Sequence, residues 1–159
     1  MINRWFKLLA AMRASRDLES GQALVELALS MSLLFLILLG AVEFARVTYA
    51  GIEVSNAARA AVQYGAMNGG ATWDINGMLA AAQNDSANLG TTVTIVGTPA
   101  TSFACSDGST YDATTFCGSA TVFETLSVHT QTTFVPLIHA VGLPTTFTLH
   151  GYAQEMVLQ

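Results

Sequence analysis

One carboxylate, Glu26, stands in a stretch that is otherwise apolar from Ala23 to Val42. A charged side chain in such a helix costs on the order of 2.5–3.5 kcal/mol at a bilayer centre and less near its boundary, so it marks a contact that offsets the loss of water. The residues before it are Ser20-Gly21-Gln22. A peptidase cutting after Gly21 would make Gln22 a new N-terminus and Glu26 the fifth residue of the mature chain. The freed α-amino group is then the cation that the carboxylate lacks. In a helical assembly, Glu26 of one subunit can pair with that amine on its neighbour, which sets an axial register and compensates the desolvation of both groups. Without cleavage, Glu26 lies at the membrane edge with its carboxylate in water, as long polar side chains do elsewhere.

Other reactive side chains are few. Cys105 and Cys117 enclose eleven residues. Their even number suits an oxidising exterior and predicts a disulfide, the alternative being two buried thiols. No CxxC or close Cys/His pairing suggests zinc, so no metal is expected. His129, His139 and His150 recur about every ten residues and are read as surface or hydrogen-bonding groups. The chain has no GxSxG, P-loop, GxGxxG or HExxH pattern, so neither an enzyme nor a cofactor is expected. Threonine hydroxyls with Trp73, Phe103, Tyr111 and Phe116 leave an adhesive surface open.

The elements that carry these residues follow from charge and hydropathy. The 159 residues are 52% hydrophobic and only 11% charged, with a net charge of −5; ordinary soluble domains are roughly 25% charged. All six basic residues, Arg4, Lys7, Arg13, Arg16, Arg46 and Arg59, fall in the first 59 positions, and the last hundred hold six acids and no base. That disfavours binding to nucleic acid or direct electrostatic attraction to anionic lipid. A helix from Gln22 to Val42 spans about 31 Å, close to a hydrocarbon core of about 30 Å. The four bases before it predict a cytoplasmic N-terminus and a C-terminal portion outside. The apolar run exceeds a secretory h-region, and no convincing small-x-small cleavage site follows it.

Beyond the span, Val47, Ala50, Val54, Ala57, Ala61 and Tyr64 recur at spacings of three and four and form a narrow apolar seam, opposite Arg46, Glu53, Asn56 and Gln63. The seam serves packing on the protein's own head, packing on neighbouring subunits, or both. Gly65 and Asn68-Gly69-Gly70 end the helix. A short helix is predicted within Trp73 to Leu89, with Asp74 near its start and Gly90 after its end. Strands are predicted at 92–95, 125–129 and 146–150, and VPLIHAVGLP reads as a connection carrying Pro136 and Pro144. The class is therefore α+β: a long N-terminal helix, then a small domain with a short helix and an antiparallel sheet of three or four strands.

The run GQALVELALSMSLLFLILLGAVEFARVTYAGIEVSNAARAAVQYGA resembles the N-terminal signature of the TadE-like pseudopilins, minor components of bacterial tight-adherence (Flp, type IVc) pilus systems. The matching positions are Gly21, Glu26, Glu43, Arg46, Tyr49 and Asn56-Ala57-Ala58-Arg59; where the family often has Pro in the apolar stretch, this chain has Ser32. The resemblance implies cleavage after Gly21 by a membrane-embedded prepilin peptidase. It also implies partnership with other pilins, pseudopilins and the membrane platform of the pilus machinery, in a bacterial cytoplasmic membrane. The expected organisation is a cleaved leader (1–21), a transmembrane helix (22–42), a stalk helix (43–65) and an extracytoplasmic α+β domain (66–159). A signal-anchored binding module that is neither processed nor assembled is the alternative. An extracytoplasmic enzyme ranks lower and would need the three histidines to converge with an acidic partner.

Overall fold

The computed structural model describes residues 2–67, 69–114, 116–138, 142 and 144–157, with side chains from residue 21 onward. Helix α1 runs from Ile2 to Ala66. The chain forms two compact units, Met1–Phe44 and Ala45–Gln159. In the first, the residues from Gly21 to Val42 are exposed along the whole helix. Leu24, Leu29, Leu33, Leu36 and Ile37 are all among its exposed apolar side chains. Among the described residues none covers them.

The second unit is a head built on the remainder of α1. Ala50, Val54, Ala57, Ala58, Ala61 and Val62 are buried, which places the predicted seam against the protein's own sheet. Alanines on that seam let backbones approach closely while keeping high helix propensity. After α1, a 3₁₀ turn, Ala71–Trp73, leads to helix α2, Ile75–Asp85. Asp74 caps α2 by accepting from the Gly77 N–H at 2.9 Å, and its other carboxylate oxygen accepts from the Tyr64 hydroxyl at 2.8 Å. One side chain thus ties the end of α1 to the start of α2. Ser86 closes α2 through its N–H and hydroxyl, both donating to the Ala82 carbonyl. Asn68, part of the predicted stop signal, lies outside the described residues.

The sheet has four antiparallel strands, β1 (Thr94–Ile95), β2 (Ala100–Cys105), β3 (Val122–Phe134) and β4 (Phe147–Met156). β1 and β2 lie end to end along one edge of β3, with Ile95 opposite Thr130 and Ala100 opposite Ser127. Between these pairs their side of the ladder uses two more residues than β3 does. The excess bulges out around Gly97, whose φ of +71° favours glycine. β4 pairs with the other edge from Thr125↔Met156 to Phe134↔Phe147.

Alternation along β3 buries Leu126, Val128, Thr130, Thr132 and Phe134 against the helices. Met78, Ala82, Val93, Ala153 and Val157 complete this core. The buried threonines are satisfied: the Thr130 hydroxyl donates to the Val54 carbonyl at 2.8 Å and Thr132 to the Thr92 carbonyl at 3.3 Å. Gly151, opposite Thr130, has no side chain at this crossing, and a Cβ there would collide with the Val54 carbonyl.

The α+β reading holds. Strand lengths differ from expectation: β2 is additional, and β3 and β4 run well beyond 125–129 and 146–150.

Candidate functional site

Gly21, Gln22 and Glu26 lie on α1 and are all exposed. Glu26 follows Gln22 by one helical turn and a fraction, so in a chain beginning at Gln22 its carboxylate sits on the same terminal turn as the new amine. Downstream, Gly21–Ala66 contains one helix portion long and apolar enough to cross a membrane, with none of its most apolar window buried. This is consistent with a single-pass anchor. At the position where the resembling family often carries Pro, the Ser32 hydroxyl donates to the Ala28 carbonyl at 2.8 Å. The helix continues through this point, and the hydroxyl keeps a hydrogen bond without water.

The remaining motif residues lie on the portion of α1 around and beyond Glu43, which is half-buried. The Arg46 guanidinium lies over the Phe134 ring, 5.2 Å from its centroid, a cation–π contact that fastens the first turn of the head to the end of β3. Tyr49 donates its hydroxyl to the Glu53 carboxylate, which raises the phenol pKa above its usual value. Tyr49, Ile52, Asn56, Arg59 and Gln63 recur at spacings of three and four on the flank of α1 away from the buried seam; Asn56 is half-buried and the other four are exposed. Three motif positions, Tyr49, Asn56 and Arg59, therefore share a stripe that the head's own core does not use. Val62, Gln63, Arg59 and residues 152–156 of β4 border an open groove of about 620 Å³.

Cys105 and Cys117 form a disulfide with a Cα–Cα distance of 5.5 Å. The loop it closes is organised by two aspartates. Asp107 accepts from the Ser109 hydroxyl and N–H, which lowers its pKa below the usual carboxylate value, and Asp112 accepts from the Thr114 N–H and hydroxyl. Tyr111 stacks on Phe103 with centroids 4.9 Å apart and meets the edge of Phe116 at 6.0 Å.

His129 and His150 occupy adjoining strands on the outer sheet face, where His129 packs on Tyr152 at 4.7 Å and His150 pairs in register with Gln131. His139 lies outside the described residues. Among the described residues no three His, Cys, Asp or Glu side chains gather as metal ligands.

Two links escaped sequence reasoning: Arg46 to Phe134 and Tyr64 to Asp74. Both join residues across turns whose geometry no periodicity encodes, although Tyr64 and Asp74 are only ten positions apart.

No curated protein and no solved structure matches this chain. Residues 21–63, which hold Gly21, Glu26 and every stem motif position, match the family model described as TadE-like protein, a similarity consistent with a protein of the tight-adherence pilus system.

Proposed function

We propose that the protein is a minor pseudopilin that enters or primes a tight-adherence pilus and thereby supports surface attachment and biofilm growth. A prepilin peptidase hydrolyses the Gly21–Gln22 bond: water adds across the amide, leaving a carboxylate on Gly21 and an ammonium on Gln22. The apolar helix stores the chain in the membrane, with the head outside, and packs it among other pilins and the assembly platform on release. Glu26 of one subunit pairs with the Gln22 amine of the next and sets the axial step. The stripe of Tyr49, Ile52, Asn56, Arg59 and Gln63 offers neighbouring stems a surface that the head leaves uncovered.

The observation that carries this reading is the register of Gly21, Glu26 and the long apolar segment within the family match. Intact-mass analysis of protein extracted from membranes is expected to give a chain beginning at Gln22. Glu26→Ala is expected to leave cleavage and insertion largely intact while lowering recovery with partner pilins. Retention of residues 1–21 would favour the unprocessed anchor, and normal pilus yield from Glu26→Ala would count against the pairing.

A further inference from the structure

The turn that leaves β3 carries side chains that neither the core nor the stem stripe uses. Val135, Leu137 and Ile138 are 48%, 67% and 43% exposed, while Pro136 between them is buried and holds the turn to the head. Between Glu124 and Glu155 the chain has no Asp, Glu, Lys or Arg, so the turn itself brings no such charge, and the charged group beside its start is Arg46 of α1.

The turn's height on the head is fixed by two contacts. Thr130 bonds to Val54, and Phe134 lies under Arg46. Eight residues of helix rise about 12 Å and four of strand about 13 Å, so β3 runs antiparallel to α1 and ends level with Arg46. Val135 also shares an open groove with Arg46, Tyr49 and Ala50. Arg46 is only four residues after Val42, the last residue of the apolar segment. Four residues reach at most about 14 Å, whatever path they take.

We propose that the Val135–Ile138 turn is a lipid-contacting foot of the head, whose exposed apolar side chains enter the interfacial layer of the leaflet from which the anchor helix emerges. The inference rests on the membrane-anchor reading of residues 22–42. Its occupant is the bilayer surface because the turn begins beside Arg46, four residues after the span, and because its own residues are apolar and uncharged. Anionic headgroups are therefore not required for binding. A head held by its own foot is kept from turning freely about α1 while the chain is stored in the membrane.

The test uses the full chain in phosphatidylcholine vesicles, with its native cysteines paired and a nitroxide placed at Leu137→Cys, Ile138→Cys, Ile37→Cys or Trp73→Cys. Trp73 is 78% exposed and follows the far end of α1. Collision with oxygen, which concentrates in lipid, is compared with collision with a water-soluble nickel chelate. The labels at Leu137 and Ile138 are expected to give an oxygen-to-nickel ratio several-fold above that at Trp73, and to keep it when the chain is diluted in excess lipid. A ratio equal to that at Trp73, with Ile37 deep in the bilayer, overturns the foot and leaves the anchor standing. A raised ratio that disappears on dilution overturns it in favour of a second copy. An aqueous label at Ile37 overturns the anchor and the foot together.

Discussion

Asp74 holds two elements with two oxygens, and its titration reports that junction. Its carboxyl is lowered from the ordinary 3.8, first by the Gly77 N–H and then by the Tyr64 hydroxyl, while Tyr64 is raised from 10.0 by the same bond. A depressed carboxyl contributes stability above its ordinary pKa that is lost as pH falls through the folded value; a raised phenol contributes below its ordinary pKa and loses it as pH rises through the folded value. Asp74→Asn keeps an N-cap acceptor but does not titrate. The melting temperature of the native protein is therefore expected to exceed that of Asp74→Asn near neutrality, with the gap closing below about pH 4. Tyr64→Phe is expected to remove the corresponding alkaline limb. Thermal melts across pH check both, and parallel curves for native protein and Asp74→Asn would show that the carboxylate charge plays no part.

Among the elements, the crossing of α1 over the sheet is the tightest, because Gly151 and Thr130 bring strand backbone against the Val54 carbonyl. Gly151→Val is expected to destabilise the head by about 3 kcal/mol or more, since the obstructing atom is backbone and cannot rotate away. Denaturant unfolding measures this, and a loss below about 1 kcal/mol would mean that the helix lifts without difficulty. The same crossing explains what was legible beforehand. α1 and its seam were readable because alanine and valine repeat at helical spacing, and α2 because Asp74 and Gly90 bracket it. β3 extends past the predicted 125–129 because its inward positions 130 and 132 are threonines, buried through hydrogen bonds rather than apolarity. β4 continues through Gly151, a residue that weakens a strand signal but that the crossing demands. β2 gives little signal because Ala100, Ser102 and Ala104 face outward as small residues beside Pro99, and only Thr101, Phe103 and Cys105 share the inward face of β3. Residue types signal the Cys105–Cys117 pair; the partners of Arg46 and Asp74 need three dimensions.

At the scale of the whole molecule, the disulfide links folding to compartment. Its closed loop is expected to contribute about 3 kcal/mol, so Cys105→Ala with Cys117→Ala should lower head stability by that amount, measured by denaturant unfolding with and without reductant. Reduction should weaken the native protein and leave the double variant unchanged. Thiol-reactive mass tags are expected to modify native protein from membranes only after reduction; immediate modification would place the head in a reducing compartment.

The alanine seam of α1 has a further consequence. Since the sheet already sits on it, the flank of Tyr49, Ile52, Arg59 and Gln63 is the side of this part of α1 that stays exposed among the described residues. The stem of the head is therefore one-sided, with one flank committed to its own sheet and the other turned to its surroundings.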